Sequence, residues 1–259
     1  LRRSAARPAR GRGPGLGQRA GPDRAAGLAP GGSALRTAYE GPVSITPFAF
    51  GGRALRLVRP ADPDRLLNDP GVLDLNRRDD YMPYWAYLWP GAYLLAEAVA
   101  HEPWPPGVTA LEIGCGLGLA GLSALVAGLD RVAFSDYDET PLQFVARSAA
   151  ENGIEPARVT TRRLDWRDLP AEHFPVILGA DVLYERRLVP LVTSLIARML
   201  APGGVALIAG PYRVATEDEL GPCLERDRLV AEAQPMTAQD ERGQPVRGTL
   251  HRIRRTTSR

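Results

Sequence analysis

"LEIGCGLGLAG", residues 111–121, places four glycines in eleven positions, between two apolar runs. Ordering a glycine backbone costs more entropy than ordering any other, so such density marks a place where conformation or close approach excludes side chains. The run before it, "VTALEIG" (108–114), reads as a buried strand. The run after it, "LAGLSALVAGL" (119–129), reads as a helix ending near Gly128. Strand, glycine loop and helix together open an α/β unit. Such units bind ligands at the carboxyl ends of their strands.

The same rhythm continues in both directions. "GAYLLAEAVAHE" (91–102) is a helix started after Pro90, and "RVAFSDY" (131–137) a second strand. "ETPLQFVARSAAENG" (139–153) is a helix closed by Asn152–Gly153. "VTTRRLDW" (159–166) and "PVILGAD" (175–181) are strands three and four. "ERRLVPLVTSLIARML" (185–200) is a helix stopped by Pro202–Gly203–Gly204, leading to a fifth strand, "VALIAGP" (205–211). Strands alternating with helices imply a doubly wound, mostly parallel sheet. After the helix "EDELGPCLER" (217–226), "LVAEAQPM" (229–236) and "RGTLHRIRR" (247–255) leave no room for a crossover. They are expected to form an antiparallel hairpin on the sheet edge.

Upstream, "VSITPFAFGGRALRLVRP" (43–60) reads as a β-hairpin around Gly51–Gly52. "ADPDRLLNDPGVLDLNRRDDYMP" (61–83) reads as short helical turns broken by prolines. Three regions are therefore expected: a tail at 1–41, a hairpin and lid-like segment at 42–90, and a main domain at 91–259. The tail is rich in Arg, Gly, Ala and Pro without hydrophobic period, a composition that predicts disorder.

Composition narrows the function. All 32 basic residues are arginine. Eight of them lie in residues 1–40 against only Asp23 and Glu40, so the rest of the chain carries 24 basic and 28 acidic residues. That mildly acidic body has no electrostatic footprint for nucleic acid. Two cysteines (115, 223) and three histidines (101, 173, 251) build neither a disulfide framework nor a zinc cluster. No apolar run has the length of a membrane span, and the N-terminus lacks a signal-peptide core. A reducing cytoplasm is the expected location. The sequence gives no oligomeric state.

The glycine loop admits two ligands. Gly116-x-Gly118-x-x-Gly121, with Asp136 twenty residues beyond Gly116, satisfies the dinucleotide fingerprint. Glu112-x-Gly114-x-Gly116-x-Gly118 is instead an acid followed by alternate glycines. An acid there repels a pyrophosphate and suits a ligand carrying ammonium and sulfonium charge. Asp136, Asp165 and Asp181 each stand at the end of a successive strand. Asp136 also reads as a turn residue in "SDYD", Trp166 as core, and Asp181 as the N-cap of the helix beginning "ERRLVPLV". Trp85 and Trp89 in "WAYLWP" read equally as lid or core packing.

The acid-plus-glycine pattern, the three strand-end aspartates and the terminal hairpin resemble class I S-adenosylmethionine (SAM) methyltransferases. "PYWAYLWPGAYLLA" (83–96) and "GADVLYE" (179–185), the latter with Asp181-x-x-Tyr184, resemble the lysine-methyltransferase-like group, methyltransferase family 16. The resemblance spans about residues 43–255 and implies a seven-stranded Rossmann-like sheet with an antiparallel C-terminal hairpin. It implies SAM as cofactor, held by Trp89, Glu112, Gly114, Gly116, Gly118, Asp136, Asp165 and Trp166. It places Asp181 and Tyr184 as catalytic residues beside the methyl acceptor, a protein lysine. No metal is called for. A small-molecule amine is the alternative acceptor, and a dinucleotide-binding oxidoreductase the alternative from another class. The chain lacks the Tyr-Lys pair of many such oxidoreductases, having no lysine at all. It also lacks the Asn-Pro-Pro-Tyr of base methylation.

Overall fold

The computed structural model describes residues 39–79 and 81–256. The expected N-terminal tail lies almost wholly outside the described residues. Thr109–Ile113 (β3) is buried on both faces and runs parallel to Arg131–Asp136 (β4) on one side and Phe174–Ala180 (β6) on the other. A strand covered on both faces is apolar throughout, which is why "TALEI" carries no alternation. Outward from this centre the sheet continues through Val159–Arg163 (β5) beside β4, and Leu200–Gly210 (β7) beside β6. Leu229–Gln239 (β8) and Pro245–Arg255 (β9) follow, both antiparallel.

The seven-stranded order is β5-β4-β3-β6-β7-β9-β8. The expected edge hairpin is present, with β9 inserted between β7 and β8. Both outer strands are mostly exposed or half-buried, and β8 carries Pro235, which blunts an edge against further pairing. The direction of winding reverses between β3 and β6, so a crevice opens at the carboxyl ends of those two strands.

Helices cover both faces. On one lie Pro90–Ala100 (α2), Leu119–Val126 (α3) and Thr140–Glu151 (α4), packed with Phe134, Leu207 and Leu250 of the sheet. On the other lie Val189–Met199 (α5) and Val214–Arg226 (α6), packed with Ile113, Ile208 and Ile253. The remaining helix, Pro70–Asp79 (α1), precedes the aromatic segment. No helix among the described residues is long and apolar enough to cross a membrane.

Two expected boundaries move. The helix expected over 185–200 is a single 3₁₀ turn (Arg186–Leu188) and then α5 from Val189. Pro190 lacks an N–H and belongs in a first turn, so the helix starts there. Its end comes at Met199, because Leu200 already pairs with Phe174 and Pro202–Gly203–Gly204 lies inside β7. A register shift between Phe174 and Val176 accommodates the extra residues there. The third strand also ends early, at Arg163.

The N-terminal hairpin is as expected: Val43–Phe50 (β1) and Arg53–Pro60 (β2) turn at Gly51–Gly52, both with positive φ. Its docking is polar as well as apolar. Ser148 and Asn152, one turn apart on α4, present their side chains to β2 like a neighbouring strand. Ser148 Oγ accepts from Val58 N at 2.9 Å, and Asn152 Oδ1 accepts from Arg56 N at 2.8 Å while its Nδ2 donates to Arg56 O. Ser148→Ala leaves a buried N–H unpaired, so urea denaturation is expected to show a loss of about 1–3 kcal/mol.

Candidate active site

The glycine loop links β3 to α3. Gly114, Gly116 and Gly118 all have positive φ, while Cys115 and Leu117 between them do not. That alternation ties the loop into the fold: Cys115 N donates to Ser135 O, Gly116 N to Asp136 Oδ2 and Gly118 N to Cys115 O. Each glycine also has a packing reason. A Cβ on Gly114 would stand 3.1 Å from Trp166, on Gly116 3.3 Å from Trp85 O, and on Gly118 2.8 Å from Val145. On Gly121 it would meet Glu112 and Phe134 at or below 2.5 Å. The cluster therefore reflects the crowding of the chain on itself, and does not by itself require a ligand.

Glu112 is 1 % exposed, with its carboxyl turned under α3, where Oε2 accepts from Gly121 N at 3.0 Å. Gly121 N is one of the first N–H groups of the helix, which have no partner within it. Gly118, the N-cap, has no side chain to serve them. Glu112 supplies the missing cap from the strand. Burial pushes its pKa up to about 8, against the pull of the Gly121 N–H.

Asp136, the last residue of β4, is half-buried. Its Oδ2 accepts from Gly116 N at 2.9 Å and its Oδ1 from Asp138 N at 3.1 Å. It thus clamps the glycine loop and makes its own turn, so the turn reading is realised. Burial raises its pKa to about 6, opposed by those N–H groups. Asp165 lies two residues past β5 and is gripped by Arg167 through both carboxylate oxygens, Nε to Oδ1 at 2.7 Å and Nη2 to Oδ2 at 2.5 Å. The hydrogen bonds from Arg167 hold its pKa below the usual carboxylate range. Trp166 is half-buried against Gly114.

On the other side of the crevice Asp181 follows β6 with φ 52°, a left-handed conformation that few residues besides Gly, Asn and Asp adopt. It caps a helix, but not the one expected: its Oδ2 accepts from Gly91 N, in the first turn of α2. The cause is tertiary, since Asp181 N donates to Ala209 O at 2.8 Å and the left-handed turn swings the side chain across to α2. Its side chain is 9 % exposed, yet Oδ1 is buried with no hydrogen-bond partner. The nearest cation is Arg213, at 3.9 Å. Burial lifts the Asp181 pKa to about 6, opposed by the Gly91 N–H and by Arg213.

The segment 81–89 straps across the glycine loop. Tyr81 Oη donates to Asp138 Oδ2 at 2.5 Å, and the Trp85 backbone lies against Gly116. The two tryptophans part company. Trp85 is 6 % exposed and packs on Phe144, whereas Trp89 stays exposed, its Nε1 donating to Tyr84 O at 2.9 Å. Tyr84, which the sequence did not single out, stands edge-on to both Trp89 (5.7 Å) and Tyr184 (5.9 Å). The 3₁₀ turn Tyr84–Ala86 buries Trp85 and turns Tyr84 outward, a choice no periodicity in "YWAY" announces. Burial first, then Glu185, pushes the Tyr184 pKa up to about 12, so it stays a phenol and a donor. Arg213, Glu217 and His251 also escaped the sequence reading. They come from distant segments and share a pocket with Asp181 and Tyr184. No cluster of metal-ligating side chains occurs among the described residues.

A doubly wound seven-stranded sheet with an antiparallel final pair and a glycine loop at its reversal point is the Rossmann-like methyltransferase fold. Mitomycin 7-O-methyltransferase shares it, with a TM-score of 0.52 at 18% identity over 74% of this chain and 60% of that one. Residues 87–220, just over half of the chain, match the sequence model of the lysine methyltransferase family, and the chain belongs to that family. Similar curated proteins include the electron transfer flavoprotein beta subunit lysine methyltransferase of Xenopus laevis, 26% identical over 49% of this chain and 52% of that protein. The ribosomal protein L11 methyltransferase of Azotobacter vinelandii is 34% identical over 48% of this chain and 44% of that protein. The chain thus spans about half the length of the curated relatives it matches.

Because Glu112 has its pKa raised from about 4.5 unfolded to about 8 folded, its contribution favours folding below pH 4.5 and is lost as pH rises to 8. Glu112→Gln keeps an oxygen for Gly121 N and removes the charge. Thermal melts are expected to show the variant matching wild type at pH 5 and exceeding it at pH 8.5.

Proposed function

We propose that the chain transfers a methyl group from SAM to a nitrogen of a protein, a lysine side chain. Membership of the lysine methyltransferase family supports the class of reaction. The observation that carries the acceptor assignment is the Asp181 carboxyl, whose buried Oδ1 has no hydrogen-bond partner, lining one pocket with Tyr184.

The residues present fit the cofactor. Asp136 reserves one oxygen each for Gly116 N and Asp138 N and keeps further lone pairs for two vicinal hydroxyls of a ribose. The bare backbone at Gly114–Gly118 leaves room for the methionine half to lie against it. Glu112 acts from beneath, by fixing α3 and with it the loop. Trp89 borders the site from the strap, and Trp166 offers a face to the adenine. Asp165 meets the adenine amino group only with the lone pairs that Arg167 leaves it. Bound SAM supplies a methyl on a sulfonium, activated by the charge that the sulfur loses on transfer.

The protein's part is then placement. Asp181 draws an ammonium acceptor towards its carboxylate, and the Tyr184 phenol oxygen accepts an N–H of the same group. Tyr84 and Trp89 present aromatic faces that favour a cation at the entrance. The acidic body and the absence of a basic stripe favour a cationic protein segment over nucleic acid. A reducing cytoplasm suits the two buried free thiols, Cys115 and Cys223.

Calorimetry is expected to show S-adenosylhomocysteine binding and no heat with NAD or NADP. Asp136→Ala is expected to weaken that binding at least about tenfold, the loss of a charge-assisted hydrogen-bond acceptor. With wild type the affinity falls as pH drops below about 6, where Asp136 takes up its proton. Tight dinucleotide binding without S-adenosylhomocysteine would overturn the methyltransferase reading. Incubation of a host lysate with labelled SAM and mass mapping of the products identifies the acceptor. In that assay Asp181→Asn, which keeps an oxygen for Gly91 N, and Tyr184→Phe are expected to slow transfer about tenfold or more while S-adenosylhomocysteine affinity holds.

A further inference from the structure

Asp181, Tyr184, Arg213, Glu217 and His251 line one pocket between α6 and the carboxyl ends of β6 and β7. His251 is 6 % exposed on β9, and its Nε2 faces Glu217 Oε1 at 3.2 Å. No part of the cofactor assignment uses this pair, and packing alone gives no reason for an imidazole and a carboxylate among Ile208, Leu220 and Ile253. Asp181 lines the same pocket, its Oδ1 buried and without a hydrogen-bond partner. Arg213 stands at its edge with a guanidinium 3.9 Å from that oxygen, marking where a cation is favoured.

An acceptor amine meets a difficulty here. A lysine ammonium has its pair tied up in an N–H bond and is no nucleophile until a proton leaves. Asp181 attracts the cation, but the Gly91 N–H and Arg213 already engage its carboxylate, and Tyr184 keeps its own proton. Glu217 holds the Nε2–H of His251, which fixes the tautomer and leaves Nδ1 as the basic atom.

Resting on the methyltransferase reading above, we infer that this pocket seats the acceptor amine and that the Glu217–His251 pair takes its proton. The N–H bond of the ammonium breaks, its electron pair stays on nitrogen, and the proton passes to Nδ1 of His251. Asp181 stabilises the cation before transfer, and Glu217 stabilises the imidazolium after it. The proton then leaves to solvent past the exposed Arg213. Glu217 from α6 contacts the ring, and the other charged or titratable groups lining the pocket are Asp181 and Tyr184 from the loop after β6 and Arg213 from the loop after β7. The flanking strands place Ile208 and Ala233 opposite His251, neither of which carries charge.

The chain has three histidines, so ring NMR signals are few, and His251→Gln assigns the one that matters. The full chain, saturated with S-adenosylhomocysteine, is titrated with n-butylammonium, which has the head of a lysine side chain. The ring signals of His251 are expected to move as the amine is added, while those of His101 and His173 stay put. Glu217→Gln is expected to weaken that response about tenfold, because the ring loses the carboxylate that orients it. If n-butylammonium fails to bind, or binds without moving the His251 signals, or Glu217→Gln leaves the response unchanged, the inference falls. Calorimetry on the same sample separates the two levels. A chain that takes S-adenosylhomocysteine but shows none of these effects loses only this inference, whereas one that takes none loses the methyltransferase reading itself.

Discussion

A buried carboxyl holds the centre of this molecule. Glu112 on the middle strand reaches under α3 and supplies the acceptor that Gly118, as a bare N-cap, cannot. The bond fixes how close the helix lies to the sheet, and that closeness is what Gly121 permits. The glycine loop is pinned between these two points and cannot relax away from its left-handed turns. Burial that deep makes the carboxyl a poor acid, so the contact is held by hydrogen bonding more than by charge.

From this fixed loop the two flanking aspartates take matching roles. Asp136 on one side binds the loop through Gly116 N, and Asp181 on the other binds α2 through Gly91 N. Each thereby spends part of its hydrogen-bonding capacity on the fold, and a carboxylate has lone pairs beyond the bonds used there. The left-handed backbone at Asp181 carries a conformational cost that ordinary loop residues avoid. It is sustained by the bond to Ala209 O and the cap on α2, and it aims the side chain across the crevice.

The strap from Tyr81 to Trp89 joins the hairpin side of the molecule to this crevice. It is tied by Asp138 at one end and by α2 at the other. Its aromatic rings divide by exposure, with Trp85 sealing the core and Tyr84 and Trp89 bounding the entrance with Tyr184. An aromatic rim around a buried acid favours cations over anions.

The order of strands, the crevice and the residues at strand ends were legible in the sequence, because buried parallel strands write near-continuous apolar runs and their loops begin where those runs stop. The same local logic located Gly114, Gly116, Gly118, Asp136 and Asp181. It failed where the deciding partner is remote in the chain. That Asp181 caps α2, that Arg167 occupies Asp165, and that Pro202–Gly203–Gly204 lies within β7 all depend on what tertiary packing brings alongside. So does the meeting of Glu217 and His251, 34 residues apart, since one sits on a helix and the other on a strand that only the antiparallel return of β9 places beneath it. Sequence carries periodicity and turn chemistry, which are local. Which buried polar groups find one another is decided by the desolvation cost of leaving any of them unpaired, and only the folded chain settles those pairings.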